Sequence, residues 1–442
     1  MTDKFVIPYG YAADRKAFPS YADNRHLCTI APTRSGKGAS VIMQALMQIP
    51  HSVVVTDPKG QNAAVTARAR RAMGHEVFVL NPFGLHTGSP WWLPRHRFNP
   101  LAHLNIHSPN VVAKVAALAE ALIVTAGRDP YFDDTARDLV RTLILYLVST
   151  LGPKATLGHL RKMVTTIAAR EAEAATLLVA ISKSPYSFIS QPIGRFKDRE
   201  ARDISSAVNT CITQTSFLDD PAFTDPATGV LSGSDFELGQ LKTKATTVYL
   251  ILPGDLMTSY ARFLRVLITS AIDRVIAAPG GRPVLMILDE FARLENLPAV
   301  TGAFSFAAGF NLQLWPFLQD LAALESLYGK QWKSILANCG MVQFFTPTEI
   351  DTAEYIQRRG GMLTGESRSR SYSGLFLKGE RSESRSETRI PLLPVESVMS
   401  MPPEQSVIFF AGKHDPQIAG RQSYWTIPRL ARAFDPDPFH MV

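Results

Sequence analysis

The stretch A-P-T-R-S-G-K-G, Ala31 to Gly38, lies between an apolar run, His26 to Ile30, and a run with helical periodicity, Gly38 to Ile49. A strand, a glycine-containing turn with one lysine and a helix, in that order, are typical of a phosphate-binding loop. Glycine allows backbone N–H groups to curve around an anion, and the first free N–H groups of the next helix point at it. Lys37 would add a positive charge at the β- and γ-phosphates.

The loop departs from the usual pattern G-x-x-x-x-G-K-[ST] in two places. Ala31 stands where the first glycine is expected, and Gly38 replaces the hydroxyl residue that ordinarily holds Mg²⁺. Taken alone, the stretch therefore leaves two interpretations open: a phosphate site, or a turn that precedes a helix by chance.

The composition of the whole chain sets broad limits on its class. Of its 442 residues, 46% are hydrophobic and 19% are charged, so we expect a sizeable folded core. The net charge of +7 favours an anionic partner such as nucleic acid, nucleotide or a membrane surface, although many soluble proteins carry as much charge. The three cysteines are far apart and indicate a reducing, cytoplasmic setting. No run approaches the roughly 20 apolar residues of a membrane helix, and the N-terminus lacks the pattern of a signal peptide.

Strand-like runs occur in two blocks, which are separated by a long stretch with helical periodicity only. Within each block, runs rich in β-branched residues alternate with helical runs, which is typical of a parallel sheet. The predicted strands are His26–Ile30, Ser52–Thr56, Glu76–Leu80, Thr247–Leu252, Val284–Glu290, Leu312–Leu318, Val342–Phe345 and Ser406–Phe410. From Asn110 to Ser216 we predict an all-helical block.

This alternation predicts an α/β fold that is interrupted by an inserted all-α domain. We expect a nucleotide-binding domain in two parts, residues 1–105 and 217–442, and an all-α domain at residues 106–216. Residues 364–389 are rich in Ser, Arg and Glu, a composition that predicts a mobile loop or an exposed hairpin. Its arginines have a regulatory role, contact DNA or, as the simplest alternative, face solvent. The proline-rich tail from Trp425 is expected to be peripheral.

Asp289 and Glu290 follow directly on an apolar run that begins at Val284. In a phosphate-loop ATPase, an Asp at the tip of a buried strand beside the loop orders Mg²⁺ directly or through water, and the next Glu polarises the attacking water. The alternative is that Asp289 only caps the helix that follows. The pairing of this strand end with an upstream G-K loop favours the first interpretation.

Two further polar segments are predicted at the carboxyl ends of parallel strands, where ligands bind in open α/β sheets. Asp57-Pro58-Lys59-Gly60 follows one strand, and by composition it is also a good turn sequence. Gln319 follows another, and its amide is expected either to sense a γ-phosphate or to be an ordinary loop residue. No competing catalytic pattern is present, since the sequence lacks H-E-x-x-H, G-x-S-x-G and G-x-G-x-x-G.

In their combination and order, several segments resemble the type IV secretion coupling proteins, the ATPases that feed DNA into conjugation machinery. They are A-P-T-R-S-G-K-G, D-P-K-G, F-N-P-L at 98–101, L-K-T-K-A-T-T-V-Y-L-I-L-P at 241–253, I-L-D-E-F-A-R-L and L-Q-D-L-A-A-L. The resemblance covers nearly the whole chain, and the off-pattern positions of the loop fit this family.

The resemblance implies a RecA-like P-loop NTPase fold, ATP and Mg²⁺ as cofactors, and a homo-hexamer with single-stranded DNA passing through a central channel. Carried to the matching positions, it implies that Asp289 holds Mg²⁺, that Glu290 activates water and that Gln319 senses the γ-phosphate. Lys37 would act in catalysis as well as in binding. The residues implied to bind the nucleotide are Thr33, Arg34, Ser35, Gly36, Lys37, Gly38, Asp57 and Lys59.

The resemblance also implies partners and a location. The all-α domain would recognise a relaxase, its relaxosome or secreted effector proteins, and the protein would work with the secretion channel at the cytoplasmic face of the bacterial inner membrane. The family usually carries an N-terminal membrane anchor, which this sequence lacks, so we expect a trimmed cytoplasmic portion or a form that docks through partners. Some relatives place an arginine, which acts on the neighbouring subunit, before the Gln319 strand. Here F-S-F-A-A-G-F-N contains none, and Arg293 or Arg358 are the candidates.

Three functions follow as alternatives. The leading one is an ATP-driven pump for single-stranded DNA with its attached relaxase. The second is the same motor with protein effectors as cargo. The third is a non-hydrolysing adaptor that uses nucleotide only to assemble a ring, which Gly38 and the missing arginine motivate.

Overall fold

The computed structural model describes residues 7–8, 20–125, 131–197, 201–373 and 380–440. Its centre is a nine-stranded sheet made of β3 (His26–Ile30), β4 (Ser52–Asp57), β5 (Glu76–Leu80), β6 (Thr246–Ile251), β7 (Val284–Leu288), β8 (Leu312–Leu318), β9 (Cys339–Phe345), β12 (Gln405–Phe410) and β13 (Gln417–Gly420). Two separate pairs are formed by β1 (Ile7–Pro8) with β2 (Ser20–Tyr21), and by β10 (Met362–Ser373) with β11 (Glu380–Pro391). All eight strands predicted from the sequence are present, and β13 is an addition.

The strand order in the sheet is β13-β12-β9-β3-β8-β7-β4-β6-β5. The strands β3 to β9 are parallel to their neighbours, whereas β12 and β13 at one edge run antiparallel. The predicted mostly parallel α/β sheet is therefore confirmed. Since β3 pairs with both β8 and β9, and β7 lies between β8 and β4, the segments that follow these strands emerge side by side at one edge.

Both faces of the sheet are covered by helices, as expected for parallel strands that are apolar along their whole length. Alternate residues enter two different cores: Val54 packs on one face, while Val53 and Val55 pack on the other. In chain order, the helices are α1 (Met43–Gln48), α2 (Gln61–Ala72), α3 (Val111–Leu122), α4 (Tyr131–Leu151), α5 (Leu157–Ala169), α6 (Ala172–Ser182), α7 (Ser187–Lys197), α8 (Ala201–Gln214), α9 (Pro221–Thr224), α10 (Met257–Ala277), α11 (Pro298–Phe306), α12 (Leu321–Tyr328), α13 (Trp332–Ala337), α14 (Ile350–Gly360) and α15 (Val395–Met399).

Between β5 and β6, the described residues form the helices α3 to α9 and no strand. This agrees with the predicted all-helical block, although the exact domain limits stay a prediction. The sequence did not indicate α7, because Pro192 lies in its interior and proline disfavours helix interiors. α8 follows after residues 198–200, which lie outside the described part of the chain.

The Ser/Arg-rich segment forms an antiparallel hairpin, in which Met362 pairs with Pro391 and Ser373 with Glu380. Of the two alternatives for residues 364–389, the backbone therefore supports the hairpin. Its tip, residues 374–379, lies outside the described residues, and the roles predicted for its arginines stay predictions.

Candidate active site

The predicted site residues meet at the carboxyl edge of the sheet, around a cleft of about 590 Å³. The loop after β3 forms one wall, and the segments after β4 and β7 form the others. The lining residues are Thr33, Arg34, Ser35, Gly36, Lys37, Gly38, Ala39, Asp57, Pro58, Lys59, Gln61, Asn62, Asp289, Glu290 and His440. Every residue predicted to bind nucleotide or metal is among them, and Gln319 contacts the cleft through Glu290.

The loop itself is held in a tight curve by backbone geometry. Gly36 has φ +81°, a left-handed conformation that glycine adopts without strain, and Arg34 has φ 60°. The Ser35 N–H donates to the Pro32 carbonyl (3.2 Å), and the Ala31 N–H donates to Leu318 of the neighbouring strand (2.8 Å). A π-helical turn, Gly38–Ile42, follows and continues into α1. The loop is thus preformed, with a helix beginning directly behind Lys37.

The Lys37 ammonium contacts both acidic residues at the end of β7. Its Nζ lies 3.0 Å from Asp289 Oδ1 and 2.5 Å from Glu290 Oε1. The Gln319 amide donates to the other oxygen of Glu290, Oε2, at 3.3 Å. The four residues come from three separate segments, and the fold brings them into one hydrogen-bonded cluster.

The charges in this cluster shift one another's pKa values. Burial alone would lower the pKa of Lys37, but the carboxylates of Asp289 and Glu290 raise it overall. Burial raises the pKa of Asp289, and the positive charge of Lys37 only partly opposes this. For Glu290, burial is outweighed by the charge and hydrogen bond of Lys37 and by the Gln319 amide, so its pKa is lowered. Near neutral pH, Lys37 is therefore a cation and Glu290 an anion.

The capping alternative for Asp289 is wrong. Its Oδ1 accepts from the Glu290 N–H (3.0 Å), while the turn Phe291–Leu294 that follows begins without a side-chain cap. Glu290 has φ 53° and ψ 43°, a left-handed conformation that is uncommon for a residue with a side chain. The Thr56 hydroxyl donates to the Asp289 carbonyl (2.9 Å) and joins the ends of β4 and β7.

Asp57 is both part of the cleft and a structural residue. Its Oδ2 accepts from the Ala63 N–H (2.9 Å) and its Oδ1 from the Lys59 N–H (3.4 Å), so the carboxylate binds the free N–H groups at the start of α2. Burial raises its pKa to about 6, although these hydrogen bonds oppose the rise. Gly60 has φ +66°, and a Cβ there would lie 2.9 Å from His86, so both conformation and space require glycine.

Arg421, which the sequence did not indicate, supports the loop from behind. Its Nη1 donates to the Ser35 carbonyl (3.0 Å) and to the Ser40 hydroxyl (3.2 Å), and its guanidinium lies 3.5 Å from the centre of the Phe345 ring. The Ser40 hydroxyl in turn donates to the Gly36 carbonyl (2.8 Å). Burial lowers the pKa of Arg421 to about 10, which still leaves it charged at neutral pH. No motif links residues this far apart in sequence, so pattern reasoning had no signal for it.

The expectation that the C-terminal tail is peripheral is wrong. Within the tail, Ile427 and Leu430 are buried, and His440 lines the cleft. Asp437 accepts hydrogen bonds from the Tyr424 hydroxyl (2.7 Å) and from the Gln61 amide (2.9 Å) and so fixes the tail to the start of α2. Its prolines indicated a surface segment, but the buried side chains of Ile427 and Leu430, with the partly buried ring of Phe434, pack it onto the domain.

Two further findings concern metals and membranes. Within the described residues, no three His, Cys, Asp or Glu side chains converge as a ready-made metal site. No helix in the same part of the chain combines the length and apolar character that crossing a bilayer requires.

A protein-family model for type IV secretory system conjugative DNA transfer matches residues 7–436. The chain belongs to this family. Among curated members, it is 29% identical to the VirD4 protein of Agrobacterium fabrum (strain C58 / ATCC 33970) over 97% of this chain and 63% of that protein. It is 28% identical to the conjugal transfer protein TraG of Escherichia coli over 93% of this chain and 69% of that protein.

Solved structures agree with the family fold. The chain superposes on the unbound conjugative coupling protein TrwBdeltaN70 with a TM-score of 0.64 at 15% identity, covering 90% of this chain and 85% of that one. It superposes on TrwB in complex with ADP and Mg²⁺ with a TM-score of 0.62 at 14% identity, covering 90% and 85%. This type IV coupling protein thus has a RecA-like P-loop NTPase fold. It spans 60–63% of the length of the VirD4 relatives.

Proposed function

We propose that this type IV coupling protein is an ATPase that drives single-stranded DNA, with its attached relaxase, into a secretion channel. The observation that carries this proposal is the convergence of Lys37, Glu290 and Gln319 at one edge of the sheet. Lys37 and Glu290 are 253 residues apart in sequence and Glu290 and Gln319 are 29 apart, yet their side chains share hydrogen bonds. A cation, a carboxylate and an amide beside a phosphate-type loop supply the groups that phosphoryl transfer to water uses.

ATP would bind with its phosphates in the loop Thr33 to Gly38. Residues 33–38 line the cleft, so free backbone N–H groups of this loop would donate to the phosphates, and Lys37 would exchange its two carboxylate partners for phosphate oxygens. The buried ammonium of Lys37 would thus have an anionic partner both before and after ATP binds: the carboxylates first, and the phosphates afterwards. The segment Asp57 to Lys59 and the neighbouring side chains of Gln61 and His440 would enclose the rest of the nucleotide.

Asp289 fits a Mg²⁺ ion. Magnesium in nucleotide sites is ordinarily held by one or two carboxylates together with phosphate oxygens and water, and when bound it offsets the charge on the phosphates. Gly38 has no hydroxyl to offer, and the Ser40 hydroxyl donates to the Gly36 carbonyl while its oxygen accepts from Arg421 (3.2 Å), so its lone pair is already engaged. We therefore assign the Asp289 carboxylate as the metal ligand from this chain, directly or through water.

Glu290 would act as the base that orients and polarises the attacking water. Its lowered pKa keeps it ionised, and withdrawal of Lys37 onto the phosphates would raise that pKa and make the carboxylate a better proton acceptor. Gln319, bonded to Glu290 at 3.3 Å, is placed to report the state of the γ-phosphate to the segment behind β8. This complete set favours hydrolysis over the non-hydrolysing adaptor.

Family membership and charge support our proposal for the cargo and partners. We propose DNA as the main cargo because the family model and the TraG relatives are named for conjugative DNA transfer. The all-α domain at residues 106–216 would recognise the relaxase or relaxosome, and the protein would form a homo-hexamer at the secretion channel, on the inner membrane's cytoplasmic face. Export of protein effectors by the same motor is the second candidate.

The test is ATP hydrolysis by the purified chain, with and without single-stranded DNA. Lys37→Ala should abolish hydrolysis and weaken ATP binding, because a buried phosphate contact is lost. Lys244→Ala is the matched control, since Lys244 is exposed and lies just before the amino end of β6, at the opposite edge of the sheet. A chain that binds no ATP, or that hydrolyses it equally well without Lys37, would refute the ATPase assignment.

A further inference from the structure

A second cleft, of about 550 Å³, lies between α13 and α14 on the face of the sheet opposite α2. We call it the cationic cleft. It is lined mainly by two aromatic and three basic side chains, with alanine and leucine between them. The residues used below are Trp332, Lys333, Ala337, Tyr355, Arg358 and Arg359.

Among the residues that the structure describes, the three basic residues of this cleft contact only neutral partners. Among the described residues, none of them forms an ion pair with a carboxylate, and no acidic side chain lines the cleft. Arg358 donates weakly to a backbone carbonyl of its own helix (3.4 Å), and Arg359 donates to the Tyr355 hydroxyl (3.3 Å). Lys333 Nζ lies 5.7 Å from the centre of the Trp332 ring. Such an arrangement leaves most of their donors available to an anion.

Two aromatic rings lie between these cations: Tyr355 is half-buried, and Trp332 is 8% exposed and presents one part of its ring to the cleft. The Trp332 and Tyr355 rings are 5.7 Å apart at an interplanar angle of 58°. Within the described part of the chain, the Trp332 indole N–H has no acceptor, so no hydrogen bond fixes the orientation of this ring. Cations that alternate with aromatic faces are the pattern by which proteins hold single-stranded nucleic acid, through phosphate contacts and base stacking.

We propose that the cationic cleft binds a nucleotide unit of single-stranded nucleic acid, with Lys333 and Arg358 on its phosphates and its base against Trp332 and Tyr355. A base paired in a duplex could not present its face to these rings, so the ligand is single-stranded. The inference rests on the proposed DNA-transfer function and assigns it a contact site.

The cleft is also connected to the candidate active site through the chain. Gln319 directly follows β8, and α12 with the turn Gly329–Gln331 leads from there to Trp332 at the start of α13. A change at the γ-phosphate sensed by Gln319 would therefore reach the cleft through one short helix, which suits a motor that moves DNA as it hydrolyses ATP.

The experiment measures binding of a fluorescent oligo(dT) to the full chain by anisotropy, across a series of salt concentrations. The test variants are Lys333→Ala with Arg358→Ala, both at exposed positions, and Trp332→Phe, which keeps most of the buried volume. The control is Arg71→Ala with Arg432→Ala, which removes the same charge from exposed sites elsewhere. Thermal melting of each variant reports whether it is folded.

We expect the double variant to bind oligo(dT) about tenfold or more weakly, and to lower the slope of log K against log salt by about 0.7 for each lost phosphate contact. Trp332→Phe should weaken binding severalfold with an unchanged slope, because it alters stacking and not charge. The control should change neither quantity beyond a small general effect of net charge.

Three outcomes would overturn the inference. The first is a folded double variant with unchanged affinity and slope. The second is an unmodified chain that hydrolyses ATP but binds no oligo(dT), which leaves the ATPase proposal standing. The third is a double variant that binds DNA as the unmodified chain does, but that abolishes ATP hydrolysis when it is mixed with unmodified chains. That result would assign Arg358 to a neighbouring subunit's nucleotide. Failure of the ATPase proposal itself is recognised separately, by absence of ATP hydrolysis in the unmodified chain.

Discussion

The cluster around Lys37 and the cationic cleft both contain several charged side chains, but they differ in whether those charges are paired and buried. In the cluster, the ammonium of Lys37 lies 3.0 Å from Asp289 and 2.5 Å from Glu290, and all three side chains are largely buried. In the cleft, Lys333 and Arg358 are exposed and have no described carboxylate within ion-pair distance. Buried charges need partners within the fold, because an unpaired one costs several kcal/mol. Exposed charges need none, since water solvates them.

This difference indicates how each region meets an anion. At Lys37, an incoming phosphate replaces carboxylates that are already present, so binding is an exchange of partners and can be linked to the protonation of Asp289 and Glu290. In the cationic cleft, an incoming phosphate displaces only water and counterions, so binding should depend steeply on salt. The first arrangement suits chemistry on one ligand, and the second suits repeated contacts with a moving strand.

The largest expected effect comes from breaking the paired cluster at Glu290. Glu290→Gln keeps the size of the side chain and its bond to Gln319 but removes the base, so the rate of ATP hydrolysis should fall by about 10²- to 10⁴-fold. ATP binding should persist or tighten, because Lys37 loses a competing carboxylate. Fluorescent-nucleotide binding measured beside phosphate release separates the two effects, and Glu325→Gln at an exposed position is the control. Equal loss of binding and hydrolysis would contradict the assigned role.

The next effect concerns the support behind the loop. Arg421→Met keeps an apolar stem near Phe345 but leaves the Ser35, Pro403 and Gln405 carbonyls without their donor. Ser35 and Gln405 are partly buried and Pro403 is exposed, so water replaces part of the lost bonding, and the free energy of unfolding should fall by about 1–3 kcal/mol. Urea unfolding measures this. Arg432→Met is the control at an exposed position, and similar stabilities of the two variants would show that Arg421 is dispensable.

These two residues also show where sequence reasoning succeeds and where it stops. Glu290 could be predicted because it lies at the end of an apolar strand. The strands β3, β4, β7 and β8 can each be recognised from their local composition. Parallel strands bring their carboxyl ends to one edge, so a list of strand ends is already a list of site candidates. Arg421 donates to backbone carbonyls of segments that are distant in sequence. Because every residue has a backbone carbonyl, no local sequence pattern predicts these contacts.

The same reasoning explains the other misses. His440 reaches the cleft because the buried side chains of Ile427 and Leu430 and the hydrogen bonds of Asp437 fix the tail to the domain. Proline frequency indicated loops correctly, but it carries no information on where a loop packs. Local sequence patterns likewise gave no indication of the cationic cleft. Its residues come from α13 and α14, which precede and follow β9 in the chain.

A third prediction concerns pH and the buried carboxyl of Asp57. Its pKa is raised from an ordinary value of 3.8 to about 6, mainly by burial, so the folded state favours the protonated form. The group therefore stabilises the fold below pH 3.8, and this contribution, about 3 kcal/mol at most, is lost as the pH rises through about 6. Asp57→Asn cannot titrate. The stability of the unmodified chain relative to this variant should fall by that amount between about pH 4 and 7.

Urea unfolding at several pH values checks this prediction, with Asp255→Asn at an exposed carboxylate as the control. The comparison between variant and unmodified chain cancels the titrating groups that do not interact with Asp57, whereas Asp289, whose charge helps to raise the pKa of Asp57, contributes to the difference. A difference that stays constant with pH would mean that Asp57 remains ionised in the fold, held by the N–H groups of Lys59 and Ala63.

The smallest expected effect comes from giving the cationic cleft the internal partner that it lacks. Ala337 lines the cleft and lies four residues after Lys333 on α13, so Ala337→Glu would place a carboxylate beside this lysine. Exposed pairs of this kind contribute only about 0.3–0.5 kcal/mol, and a negative charge at a helix end opposes the helix dipole, so stability should change by less than about 0.5 kcal/mol.

DNA binding should respond more strongly, because the new carboxylate competes with phosphate for the same cations. We expect oligo(dT) affinity to fall severalfold and its salt dependence to flatten, whereas Ala337→Gln, of matching size, should change little. If both variants bind alike, charge in the cleft is irrelevant to DNA, and the contrast with the paired cluster at Lys37 would reflect exposure alone.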